Sequence, residues 1–102
     1  MFDQLTIEKL DYYVYALINP NDKKPFYIGK GIGNRVFNHQ NCAIKDKDSN
    51  LKLDTIREII DSGFEVEHII IRHGLTEKEA FEIEASIIDF GNKFGFEFSN
   101  LV

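Results

Sequence analysis

Tyr12-Tyr13-Val14-Tyr15-Ala16-Leu17-Ile18, then Asn19-Pro20-Asn21-Asp22, then Pro25-Phe26-Tyr27-Ile28-Gly29-Lys30 is the stretch that decides the fold. Aromatic and β-branched residues crowd the first segment, which predicts a strand. Pro20 presets φ and the neighbouring Asn and Asp tolerate tight bends, so the middle four residues predict a turn. The third segment predicts a second strand. The two pair as a hairpin, broken by Gly31-Ile32-Gly33.

Downstream, Asn34 is placed to cap a helix running to about Ile44, with Val36, Phe37 and Ala43 available for a core. Residues 45–50 are polar and predict a loop. Leu53, Ile56, Ile59 and Ile60 recur at helical spacing between Leu51 and Ser62, and Gly63 stands where a left-handed stop is wanted. Phe64 to Arg72 predicts a third strand. Thr76-Glu77-Lys78-Glu79 is a capping box, opening a last helix that is expected to end near Phe90, ahead of Gly91. The expected order is ββααβα, an α+β domain in which a small three-stranded antiparallel sheet is flanked by helices. At 102 residues, a single domain over 1–102 is expected.

The chain is 43% hydrophobic and 28% charged, which is globular rather than disordered composition. Its one cysteine, Cys42, cannot close an internal disulfide and rules out a zinc finger. With neither a leader-like N-terminus nor a long apolar run, no membrane span is expected, and an intracellular, cytoplasmic location is. The net charge of −5 argues against non-specific coating of nucleic acid, but the charge is unevenly spread. Residues 23–45 hold Lys23, Lys24, Lys30, Arg35 and Lys45 and no acid, whereas 1–22 and 46–102 are net acidic. Such a basic window either faces a polyanion or clusters by chance.

Three groups carry potential chemistry. Glu84 falls among Ala80, Ile83, Ile87 and Ile88, the inward stripe of the last helix, where an unpaired carboxylate costs several kcal/mol. It must reach the edge of the stripe, pair with a base, or bind a cation. Arg35 and His39, four apart on the expected helix, set a permanent cation beside a group that titrates near neutrality. Tyr13 and Tyr15 share one side of their strand, and Tyr27 lies across the hairpin from them. Each pattern alone is common in ordinary cores and surfaces.

Taken together they resemble the GIY-YIG endonucleases. Tyr13-Val14-Tyr15 followed by Tyr27-Ile28-Gly29 resembles the two-part signature, with Tyr13 in place of the first glycine. Arg35 and His39 match the family's arginine and a histidine four later. Glu84 in Glu84-Ala85-Ser86-Ile87-Ile88 resembles its acidic helix motif, and Asn100 its late asparagine. The run from Phe26 to Arg35, with His39, is most similar to the subgroup of LEM-domain, ankyrin-repeat nucleases. The loop before Arg35 is shorter than in repair or homing members.

The resemblance implies a metal-dependent DNA endonuclease that leaves 5′-phosphate and 3′-hydroxyl ends. Glu84 would hold one Mg²⁺, with Mn²⁺ as a substitute. Arg35 would neutralise the scissile phosphate. Tyr15 is expected as general base, with Tyr27 positioning water or phosphate and His39 as the competing base. Tyr13, Lys30 and Asn100 would contact substrate, and Lys30 would hold phosphate or lower a tyrosine pKa. The partner would be DNA, recognised through branches, flaps or nicks, or with help from an oligomer or another protein. A catalytically inactive module that binds nucleic acid or protein is the alternative. A nucleotide-dependent metabolic enzyme is disfavoured, since Gly29-Lys30-Gly31-Ile32-Gly33 lacks the spacing of a phosphate-binding or dinucleotide fingerprint.

Overall fold

The computed structural model describes residues 1–37, 51–96, 98 and 99. The sheet expected from the sequence is present: three antiparallel strands, β1 (Tyr12–Asn19), β2 (Lys24–Ile32) and β3 (Glu67–Leu75), in the order β2-β1-β3. β1 is therefore central, and its run from Tyr13 to Leu17 is buried. Its Tyr13, Tyr15 and Leu17 pack on one face with Leu53, Ile56 and Ile59 of α2 (Leu51–Asp61). Val14 and Ala16 pack on the other with Ala80, Ile83 and Ile87 of α3 (Glu77–Lys93). Period-two alternation thus sends one strand's side chains into two separate cores.

The hairpin turn forms as expected. Lys23 enters the left-handed region at φ 61, its amide bonds Asn19 O, and the Asn19 and Asp22 side chains accept from the Asn21 and Lys24 amides. Gly63 stops α2 with φ +84, where the Gly63 amide bonds Ile60 O and the Phe64 amide bonds Ile59 O. That pair is a complete Schellman closure. The capping box of α3 is also complete, with Thr76 Oγ1 accepting from the Glu79 amide and Glu79 Oε1 from the Thr76 amide. Among the described residues no helix is long and apolar enough to cross a membrane.

Four details differ from expectation. The sequence begins with a helix, α1 (Gln4–Leu10), capped by Asp3, so the order among the described residues is α-β-β-α-β-α with a 3₁₀ turn at Arg35–Phe37. Of the helix expected over 34–44, residues 38–44 lie outside the described residues; Arg35–Phe37 form that turn, and the Asn34 side chain accepts from the Phe2 amide rather than serving as the expected cap. β3 begins at Glu67, not Phe64, because the Phe64 amide is spent closing α2. It also runs past Arg72 to buried Leu75. Finally, α3 does not stop at Gly91. A Cβ there would strike the ring of Phe98, so Gly91 is a notch inside the helix rather than its end. The notch seats the C-terminal segment, and Ser99 donates from both its amide and its hydroxyl to Phe26 O of β2, at 2.7 and 2.9 Å.

Candidate active site

β2 is an edge strand, and two of its glycines shape the site. Gly29 lies directly opposite Tyr15, and Gly31 opposite Tyr13. A Cβ on Gly29 would stand 2.6 Å from both Cζ and Oη of Tyr15 and 2.9 Å from Cε2 of Tyr27. A Cβ on Gly31 would stand 3.1 Å from Cε2 and 3.2 Å from Oη of Tyr13. With no side chain in the way, both phenols lie across β2 and carry their hydroxyls to the outer strand. The requirement for glycine here is steric, since neither residue has positive φ.

Tyr13 is fully buried, and its hydroxyl donates to Gly33 O at 2.7 Å and accepts from the Val36 amide at 3.2 Å. Those two bonds pin the turn that presents Arg35, whose side chain is exposed. The geometry makes Tyr13 a clamp on the backbone rather than a group facing substrate. The Arg35 charge reaches Tyr12, Tyr13, Tyr15 and Glu77, lowering each pKa in part. Arg35 therefore stands at the same edge as the tyrosines.

Tyr15 and Tyr27 sit side by side, ring centroids 6.3 Å apart, with Tyr13 5.9 Å beyond Tyr15. Burial, followed by the neighbouring phenols and Glu84, raises the Tyr15 pKa well above that of a free phenol, and Arg35 opposes this only in part. Tyr27 is raised by burial and then by Glu84. For both phenols the net direction is up. At neutral pH both phenols carry their protons.

Glu84 comes to this edge from the opposite layer. It lies on the flank of the inward stripe rather than at its centre, half-buried, and acts electrostatically on Tyr15 and Tyr27. Burial raises its own pKa, opposed by the Lys30 charge and then the Lys30 amide. Of the three fates open to an inward carboxylate, it reaches the rim beside a base. Glu77 and Phe81 line the same flank, four residues apart, as helical periodicity requires. Lys30 inserts among them, with Nζ 3.5 Å from Glu77 Oε1 and 6.0 Å from the Phe81 ring centroid. Glu77 Oε2 also accepts from the Tyr12 hydroxyl at 3.0 Å, a bond that lowers the carboxyl and raises the phenol.

The structure thus brings Tyr15, Tyr27, Lys30, Arg35 and Glu84 to one edge. His39 and Asn100 lie outside the described residues. Glu77, Phe81 and Lys52, whose ammonium lies 4.9 Å over the Tyr27 ring, were not anticipated. Glu77 and Phe81 were findable, being seven and three residues before Glu84 on one helix. Lys52 carried no sequence signal. Among the described residues no three His, Cys, Asp or Glu side chains gather, and Glu84 is the carboxylate the sequence proposes for a divalent cation. A half-buried hard oxygen donor fits Mg²⁺, which keeps several waters and takes one or two carboxylates.

Comparison with known proteins identifies the family. The sequence model of the LEM-3-like GIY-YIG domain matches residues 22–98, a span that holds Tyr27, Arg35, His39 and Glu84. Over 71 residues, 63% of this chain, the protein is 39% identical to the ankyrin repeat and LEM domain-containing protein 1 homolog of Caenorhabditis elegans. The chain covers 10% of that relative's length. No solved structure matches. The shared edge of tyrosines, arginine and glutamate and the match over most of its length lead to one assignment: this chain belongs to the LEM-3-like GIY-YIG family of nuclease domains.

Proposed function

We propose that the chain is a Mg²⁺-dependent DNA endonuclease that cuts the P–O3′ bond, leaving 5′-phosphate and 3′-hydroxyl ends. The observation that carries this reading is the meeting of Tyr15, Tyr27, Arg35 and Glu84, from separate elements, at the outer edge of β2.

Glu84 would hold the metal, Mn²⁺ being a substitute. When bound, the ion would supply Lewis-acid stabilisation of the negative charge that develops at the phosphate. Arg35 neutralises the scissile phosphate, an interaction whose removal typically costs about 2.7–4 kcal/mol of barrier. Tyr15 and Tyr27, protonated at rest, donate hydrogen bonds that orient the phosphate or the attacking water. The water's proton goes to His39, the competing base that the family resemblance implies, imidazole being a side-chain type suited to proton transfer near neutrality. Tyr13 keeps Arg35 in place through Gly33 and Val36. Lys30, held by Glu77 in the free protein, turns to a DNA phosphate when one arrives.

The test is cleavage of supercoiled plasmid with Mg²⁺ by wild type and by Glu84→Ala, Arg35→Ala and Cys42→Ala, followed by labelling of the ends. Cleavage kept in Cys42→Ala and lost in the other two supports the reading. Equal cleavage in all four would mark a contaminating nuclease, and DNA binding without cleavage by wild type would favour the inactive binding module.

A further inference from the structure

Phe81 is 58% exposed, one turn before Glu84 on the same flank of α3. Single exposed apolar residues are ordinary. What sets this one apart is its surroundings. The exposed Phe90 and Phe94 pack on each other with centroids 4.7 Å apart, and Phe96 stacks on Phe98 at 5.9 Å. The Phe81 ring instead meets the Lys30 ammonium, at the rim where Glu77, Glu84 and the charge of Arg35 converge.

An apolar protein surface laid over this ring would take the Lys30–Glu77 pair and the neighbouring charges of Arg35 and Glu84 out of water, which is costly. A nucleic acid strand brings phosphate for Arg35, phosphate for Lys30 in exchange for Glu77, and a flat π-face for the ring. Residues three apart on a helix have Cβ atoms about 5–6 Å from one another. A base stacked on Phe81 therefore belongs to a nucleotide at or next to the phosphate facing Glu84. Bases within a duplex are already stacked on both faces, so an unpaired one is required.

We infer that Phe81 is a specificity residue, stacking an unpaired base beside the scissile phosphate and selecting DNA that offers one, at a flap, gap or branch. This rests on the nuclease reading above and adds the residue that reads substrate shape.

The test is fluorescence anisotropy in EDTA, so that strands stay intact, using a nicked duplex with a three-adenine single-stranded flap. A second probe carries abasic sites in place of the adenines. Wild type is expected to prefer the adenine flap. Phe81→Ala and Phe81→Leu should weaken adenine-flap binding at least about five-fold and abolish the preference, while Phe81→Trp keeps both. Leucine preserves apolar bulk, so its loss cannot be assigned to a collapsed helix. Unchanged adenine-flap affinity in Phe81→Ala, or equal loss on both probes, overturns the inference while leaving the nuclease reading intact. No binding of either probe by wild type overturns the inference, and the nuclease reading is then decided separately by the plasmid cleavage above.

Discussion

Gly29→Ala is the most informative single change, because it adds one methyl at the point where two phenols cross the edge strand. The new Cβ would stand 2.6 Å from Tyr15 Cζ and Oη, so the ring must retreat by about 0.8 Å to reach ordinary contact. It would also stand 2.9 Å from Tyr27, which closes the sideways escape. Alanine's backbone advantage over glycine in a strand is roughly 0.5–1 kcal/mol. Overpacking of this kind costs about 1–3 kcal/mol, so the net effect is destabilising. For a chain of this length each kcal/mol lowers Tm by about 4–8 °C. The larger effect is on rate, since a displacement near 1 Å in a positioned group can cost about 10²-fold. The companion Gly31→Ala meets Tyr13 only at 3.1–3.2 Å and should cost less in both readouts. Thermal melts and single-turnover cleavage of the two variants provide the measurement. In a Tyr15→Ala background, Gly29→Ala should lose most of its stability penalty. Wild-type melting and cleavage in Gly29→Ala, or Gly31→Ala as the more damaging of the pair, would refute the steric account of the signature glycine.

Three further outcomes are expected. Tyr13→Phe leaves the buried Val36 amide and Gly33 carbonyl without their partner, at a cost of about 1–3 kcal/mol, and should lower cleavage by loosening the Arg35 turn. Denaturant melts and kcat would show both. Glu84 has a folded pKa raised by burial, so its contribution to stability is intact below the unfolded value and is lost as pH rises through the folded one. Glu84→Gln should therefore melt above wild type at pH 7 in EDTA, with the gap closing below about pH 4, and saturating Mg²⁺ should raise Tm only in wild type. Gly91→Ala gains about 1 kcal/mol of helix propensity but drives a Cβ into Phe98. A net loss of about 1–2 kcal/mol is expected in melts, with faster exchange of the Ser99 amide as it leaves Phe26.

Local signals proved reliable wherever the physics was local. The hairpin, the left-handed stop at Gly63 and the capping box at Thr76 each depend on residues within one turn of one another, and each formed. Glu84 was conspicuous because a carboxylate at helical spacing among isoleucines violates the pattern of its own helix. Gly91 misled for the opposite reason: its partner, Phe98, returns from beyond the helix end, and no periodicity reports that contact. The short α1 helix went unseen because seven residues carry too little apolar repeat to stand out. Lys30 was legible as a cation near the site, but its engagement with Glu77 joins residues 47 apart in sequence. The role of Tyr13 had the same obstacle, since its hydroxyl bonds backbone groups about 20 residues downstream.

The central claim, that Arg35 and Glu84 act on one phosphate at the edge of β2, is tested most directly by a double-mutant cycle on single-turnover cleavage. Groups that work as a unit are strongly non-additive. Arg35→Ala with Glu84→Ala should lose little more than the worse single variant. Losses that multiply would mean the two side chains serve separate sites, and would contradict the account.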